Sequence, residues 1–435
     1  MEAGDAAVSG HPALARRLGP AALVFYGVGD VLGAGIYALV GKVAAEAGSA
    51  AWASFLVSAA LAAVTGLAYA ELCARVPRSA GAAAFAAEAF GGSLMPHLVG
   101  FFVLASGVTS AATVSLACHG YLRSFVDLPP LAAALALIAL MALIAFIGVR
   151  ESVAANNAFT VMEVSGLLLV IAVGLSYAFR RPAAELVAAL EPDAGPLAVL
   201  AGATLAFYAF IGFEDLANLA EEAKDPVRDI PRAILASVAV STVVYLVVVC
   251  VVLWAMTPAQ AAATSRPLLE VVRLAGFPLP DWCFAGVALF AIANTGLANF
   301  IMASRLLYGL GDQGLAPAVL ASVHEGRRTP WVAILVAAGV TAALVLTAGE
   351  QGVAVLAKTT AVLLMIAFLA SHLSLIRLRR APAGPGVFRA PAFTPYAGVA
   401  ACLLLLSQAP REAFLRAGAA LALALVLHGV LGKRR

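Results

Sequence analysis

Gly27-Val28-Gly29-Asp30-Val31-Leu32-Gly33-Ala34-Gly35-Ile36-Tyr37 puts four glycines and an acid in the middle of a long apolar run. Each interior glycine costs a helix about 1 kcal/mol. A charge near a bilayer centre costs at least about 2.5 kcal/mol on insertion scales. The glycines alone fit tight helix packing, and Gly29 and Gly33 have the small-xxx-small spacing for it. Asp30 argues against packing as the whole reason. A second interruption points the same way. Phe207-Tyr208-Ala209-Phe210-Ile211-Gly212-Phe213-Glu214-Asp215 sets two adjacent acids behind a glycine, again inside an apolar stretch.

The surrounding sequence makes lipid the solvent. Of 435 residues, 63% are hydrophobic and 12% charged, and the mean hydropathy is +0.98. Soluble domains average roughly 45–50% apolar and about 25% charged. A soluble enzyme and a disordered chain are both excluded. A transmembrane helix needs about 20 apolar residues. Twelve stretches qualify: 19–46, 50–74, 94–122, 129–149, 156–179, 197–221, 232–256, 282–312, 330–348, 352–377, a short eleventh at 394–409, and 413–431. The first apolar run continues well past signal-peptide length, so no cleavable signal is expected.

Basic residues set the orientation. Most of the 27 Lys and Arg fall on one side when both termini are placed inside, among them Arg16, Arg17, Arg75, Arg78, Arg150, Arg305, Arg327, Arg328 and the Lys433-Arg434-Arg435 end. The positive-inside rule then predicts a multi-pass inner-membrane protein with cytoplasmic tails at 1–18 and 432–435. The outside stretch 257–281 has room for a short interfacial helix. Five scattered cysteines form no metal or disulfide pattern, and no cofactor is expected. The net charge of +3 gives no reason to expect nucleic acid.

The two interruptions head two five-span halves. Corresponding breaks of this kind mark inverted repeats with a binding site at the midplane. Residues 19–179 and 197–377 would be the repeats, with 394–431 forming two extra helices. An unwound helix exposes N–H groups that bind anions and C=O groups that attract cations. Two breaks side by side make a receptor for a zwitterion, and an α-amino acid fits both poles.

The residues resemble the amino acid–polyamine–organocation transporter superfamily. The resemblance rests on Gly33-Ala34-Gly35-Ile36-Tyr37; on Tyr69-Ala70-Glu71-Leu72 with Pro77 and Gly81; and on Ala220-Glu221-Glu222-Ala223-Lys224-Asp225-Pro226 with Ile230-Pro231-Arg232. It extends from Ser304-Arg305-Leu306-Leu307-Tyr308-Gly309 to Arg328-Thr329-Pro330-Trp331. It implies an all-α integral membrane protein of twelve transmembrane helices. The expected fold is leucine-transporter-like: a 5+5 inverted repeat with helices 1 and 6 discontinuous, plus two helices. It implies secondary transport of amino acids by alternating access. By position, the Gly33, Ala34 and Gly35 amides should hold the substrate carboxylate. The Val31, Tyr208, Ala209 and Ile211 carbonyls should take its ammonium. Tyr208 falls where the family has an aromatic gate. Spans one, three, six and eight should line the side-chain pocket.

Two positions depart from that pattern. Glu163 in Asn157-Ala158-Phe159-Thr160-Val161-Met162-Glu163 stands where proton-coupled members often carry Lys. It could carry the coupling proton, ligand sodium, attract a cationic amine, or serve as a structural partner. Asp30 stands where a small or apolar residue is usual, with a role in substrate or proton binding or as a cap. Glu214 and Asp215 are expected to stabilise the second break or gate it. Lys42 and Lys358 lie within spans, so each needs a partner or a route to an interface, and both are read as reaching the outer surface, while His119 and His372 are read as structural. The run from Glu221 to Asp229 is either a solvated face or half of an inner gate using Arg75 or Arg78.

These residues predict a proton-coupled amino acid carrier. The alternatives are a polyamine or cationic-amine carrier, or an exchanger without ion coupling. No filter repeat suggests a channel. No G-x-S-x-G or H-E-x-x-H suggests an enzyme.

Overall fold

The computed structural model of the chain describes residues 18–77, 81–148, 153–382, 384 and 386–431. Arg16, Arg17, Arg78, Arg150 and the 432–435 tail lie outside the described residues. The first span is split into α1 (Pro20–Val31) and α2 (Ala34–Ala47). Next come α3 (Ala51–Arg75) and α4 (Gly81–Phe90), a short helix that the hydropathy pattern did not predict. Spans three to five are α5 (Leu94–Leu122), α6 (Pro130–Ile147) and α7 (Val153–Ala178). A surface turn of helix, α8 (Ala183–Ala188), precedes the second half. The sixth span begins as α9 (Pro196–Ala206) and continues as 3-10 turns at Phe207–Phe210 and Phe213–Leu219. Span seven is α10 (Pro226–Ala255). Two short helices, α11 (Pro258–Ala263) and α12 (Pro267–Leu274), occupy the stretch where one was expected. The remaining spans are α13 (Asp281–Asp312), α14 (Trp331–Ala348), α15 (Val353–Leu378), α16 (Thr394–Leu406) and α17 (Arg411–Leu431).

Among the described residues, ten helical runs are long and apolar enough to cross a bilayer. The first, Pro20–Arg75, has 56 residues, enough for two crossings at about 1.5 Å rise per residue. The eleventh span, α16, is short at 13 residues. Proline opens α1, α6, α9 and α10, where its fixed φ suits a helix start and its missing N–H costs nothing.

The packing pairs the halves. α2 lies on α9, α3 on α10, α5 on α13 and α6 on α14, so spans one to four each meet their counterparts. The fifth and tenth spans exchange roles: α7 packs on α10 and α13, and α15 on α3 and α5. An aromatic cluster seats the second break in this frame. The Phe368 ring of α15 stands 5.4 Å from Tyr69, 5.7 Å from Phe213 and 6.0 Å from Phe207. Such pairs add roughly 0.5–1.5 kcal/mol each beyond area burial.

Two expectations about charged residues are corrected. Lys358 does not reach the surface: it is buried, and its Nζ stands 2.6 Å from Glu46 Oε1 of α2. A buried ammonium needs a partner, and the exposed Glu46 at the end of α2 supplies it. Arg75 does not face the 221–229 run. Its Nε donates to the buried Glu71 Oε1 at 2.9 Å, and its guanidinium also reaches Leu378 O. Arg379 Nε donates to the same Glu71 oxygen at 3.1 Å, tying α3 to the end of α15. Within the run, Arg228 and Asp225 form an exposed pair, as a solvated face would. His372 is buried, with Nε2 3.3 Å from Thr65 Oγ1, and packs on Gly398.

The face opposite these clamps is closed by loops. Ser49 N and Oγ both donate to Asp193 Oδ1 at 2.8 Å, and Trp52 Nε1 donates to Leu190 O. The Ser49 hydroxyl holds the Asp193 carboxyl below the usual carboxylate range. A depressed folded value stabilises the contact above the unfolded value, and that stability is lost as pH falls through the folded one. Acidification below about pH 4 is therefore expected to lower the protection of the Ser49 and Asp193 amides, taken against their intrinsic exchange rates at each pH. Asp193→Asn should remove this pH dependence, as mass spectrometry can check.

Candidate functional site

The two breaks touch backbone to backbone. A Cβ on Gly212 would lie 2.8 Å from Asp30 O and 3.1 Å from Val31 N. A Cβ on Gly35 would lie 2.9 Å from Ala209 Cβ. Gly212 also has φ +130, a backbone conformation that only glycine adopts without strain. Glycine here lets one broken helix lie against the other.

A cavity of about 30 Å³ lies at this junction. Its wall combines Asp30, Val31, Gly33, Ala34 and Gly35 of the first span with Tyr208, Ala209, Ile211, Gly212 and Asp215 of the sixth. Ser110 of α5, and Thr295 and Asn299 of α13, complete it. Spans one, three, six and eight thus contribute to it. Asp30, Asp215 and Asn299 also line a vestibule of about 1420 Å³, which joins the two spaces. Leu18, Glu222, Arg305 and Gln313 place the vestibule's mouth on the face of the 219–226 and 312–329 connections. On the opposite face, Gly41 of α2 abuts Ala261 and Gly120 of α5 abuts Ser265, so α11 and the chain after it cover the site.

The N–H pole is the start of α2, where first-turn amides have no intrahelical acceptor. Ala34 N donates to Thr295 Oγ1 at 3.0 Å, and Gly33 is glycine where a Cβ would strike that oxygen. The C=O pole comprises the end of α1 and the first 3-10 turn. Val31 O and Ala209 O both accept from Tyr245 Oη of α10, the second at 2.8 Å. Tyr208 O accepts from Ile211 N at 3.3 Å, and Ile211 itself is extended. Tyr208 Oη lies 2.8 Å from Ser110 Oγ, which latches this ring to α5.

The acids separate by position. Glu214 Oε2 accepts from Gly212 N at 2.9 Å, directly over the second break. Asp215 Oδ1 accepts from Asn218 Nδ2 at 3.2 Å. Glu163 lines neither space. It is buried on α7, its Oε1 accepts from Asn294 Nδ2 at 3.0 Å, and its backbone O accepts from Tyr37 Oη at 2.8 Å. Asn294 and Thr295 are consecutive on α13, so one helix turn contacts both this carboxyl and the N–H pole. Gly29 of α1 packs on Thr160, one turn before Glu163. Among the described residues, no group of three or more His, Cys, Asp or Glu is placed to hold a metal ion.

Sequence reading missed Ser110, Tyr245, Asn294, Thr295 and Asn299. A signal existed for all but Tyr245: polar residues recur through 106–115 and 294–299 within apolar spans. Helix rotation, which selects the ones that face the site, is not encoded in hydropathy. Thr295→Val keeps the shape and removes the acceptor for Ala34 N. With that amide no longer engaged before substrate binds, a carboxylate arriving at the N–H pole is expected to bind more tightly, lowering the KM for uptake roughly three- to tenfold, read from initial rates in proteoliposomes.

The family profile described as amino acid permease matches residues 18–410. The chain is 29% identical over 352 residues to the branched-chain amino acid permease BcaP of Bacillus subtilis, covering 75% of this chain and 74% of that protein. It is 32% identical over 334 residues to the chloroplastic cationic amino acid transporter 9 of Arabidopsis thaliana, covering 72% of this chain but 58% of that longer protein. It is 28% identical over 425 residues to a methylthioribose transporter of Bacillus subtilis, covering 89% and 87%.

Proposed function

The chain belongs to the amino acid permease family, and from that membership we propose that it is a secondary active transporter that moves amino acids by alternating access, coupled to protons. The observation that carries this reading is the junction of the two breaks. Amide and carbonyl poles meet there in a space reached from one face, while loops cover the other. The Gly33, Ala34 and Gly35 amides hold the substrate carboxylate, with Thr295 giving up or sharing the Ala34 amide. The Val31, Tyr208, Ala209 and Ile211 carbonyls receive the ammonium. Tyr208, held by Ser110, is the gate toward the covered face. Glu214 stabilises the second break through Gly212. With both termini cytoplasmic in an inner membrane, the vestibule faces the cytoplasm. The pairing of counterpart helices supports repeats at 19–179 and 197–377.

Coupling is assigned to Glu163. Proton uptake or release there changes its bond with Asn294, and the next residue, Thr295, contacts the carboxylate pole. A proton and a substrate thereby act on one turn of α13. Asp30, at the mouth between the two spaces, contributes charge recognition.

One observation favours a second reading, a carrier of polyamines or other cationic amines. Asp30, Glu214, Asp215 and Glu222 line the vestibule against Arg305. Counterflow in proteoliposomes separates the readings. The proposed function predicts exchange of labelled L-amino acids; uptake of putrescine and spermidine with no amino acid exchange overturns it.

A further inference from the structure

Tyr245 is fully buried on α10 and lines neither the small cavity nor the vestibule. Its ring is wedged between Phe55 of α3, at 6.1 Å, and Phe210 of the sixth span, at 5.1 Å. Its hydroxyl contacts two carbonyl oxygens: Val31 O, the last carbonyl of α1, and Ala209 O, in the 3-10 turn after α9. One phenol has one proton, and here it serves the carbonyl ends of both broken helices. Each carbonyl oxygen has two lone pairs. The hydroxyl occupies one on each oxygen, and the second is the one a donor in the cavity would use.

The geometry points to Tyr245 as the positioning residue of the ammonium pole. Its Oη fixes the spacing and direction of Val31 O and Ala209 O, so an ammonium meets two carbonyls already converged. This rests on the amino acid reading above and adds a determinant of selectivity for the α-amino group. The same contact links α1 to the sixth span. Because α10 supplies it, the two breaks hold their relative position through a third helix and not only through direct contact.

Preorganisation is what the hydroxyl contributes. Without it, each carbonyl must be oriented by the arriving ligand, and binding is weaker by that cost. Tyr245→Phe removes a single oxygen and keeps the ring between Phe55 and Phe210. The expected result is a KM roughly three- to tenfold higher for transported amino acids. Protein yield and melting temperature in detergent serve as the control for folding.

A selectivity ratio isolates the positioning role. Proteoliposome counterflow is run with each of the proteinogenic L-amino acids as labelled probe. Every transported probe is then competed by its unlabelled parent and by the α-hydroxy acid with the same side chain. The wild-type protein favours the parent, and Tyr245→Phe narrows that preference by the same factor that raises KM. A residue that only supports the fold lowers uptake without moving the ratio. An unchanged ratio, or a KM that stays level or falls, overturns the assignment while leaving amino acid transport in place. A wild-type protein that exchanges none of the amino acids overturns the transport reading and this role with it.

Discussion

Replacing Glu163 with Gln abolishes accumulation driven by an inward proton gradient and leaves amino acid exchange intact. Gln retains an Oε1 that accepts from Asn294 Nδ2, and Tyr37 bonds to the backbone of residue 163, so both contacts survive. What disappears is a group that can take up and release a proton. Exchange needs only the loaded carrier to reorient. Net accumulation needs the ion-linked step as well. The variant should therefore equilibrate labelled substrate, show normal counterflow and concentrate nothing. Paired measurements with and without a pH gradient in the same vesicles read this directly. If Glu163→Gln accumulates substrate as the wild-type protein does, the coupling site is elsewhere.

Gly212→Ala is expected to eliminate transport. Two costs fall on the same atom. A φ of +130 disfavours any side chain, and the added methyl would sit 2.8 Å from Asp30 O and 2.9 Å from Asp30 C. The neighbour is backbone, so it yields only if the first break moves. Strain of this kind costs about 1–3 kcal/mol, and overpacking a further ~1–3 kcal/mol. Together they take a large share of a typical folding stability of about 5–15 kcal/mol. The loss should concentrate at the site, because the two poles are pushed apart. Gly418→Ala, with nothing within 4 Å of the new methyl, is the control and should transport normally. Normal uptake by Gly212→Ala would contradict the close apposition of the breaks.

The fold was legible because each apolar run is bounded by charges or prolines. The predicted third span, 94–122, matches α5, and 282–312 nearly matches α13. The breaks were legible for the converse reason, since glycines and acids have no cheap place in an apolar helix. α4 was not legible: its ten residues are apolar except Glu88 but too few to register as a span. Lys358 was misread because hydropathy gives its depth along the helix but not the side it faces. That side holds Glu46, 312 residues away in sequence. Tyr245 was the least visible. A tyrosine among Val and Leu reads as ordinary core, and its role depends on two carbonyls supplied by distant backbone. Gly33 and Gly35 were noticed for their amides; the contacts of their missing side chains, which admit Thr295 and Ala209, were not visible in the sequence.

Recognition of both ends of a zwitterion by two broken helices is tested most directly by competition on the purified wild-type protein. A labelled amino acid that supports counterflow is displaced by three unlabelled compounds: itself, its decarboxylated amine, and its α-hydroxy acid. Losing either pole removes charge-assisted hydrogen bonds, so both analogues should compete roughly ten- to a hundredfold more weakly than the parent. A decarboxylated amine that competes as well as the parent amino acid would show that the α2 amides hold no carboxylate, and would contradict the assignment at its centre.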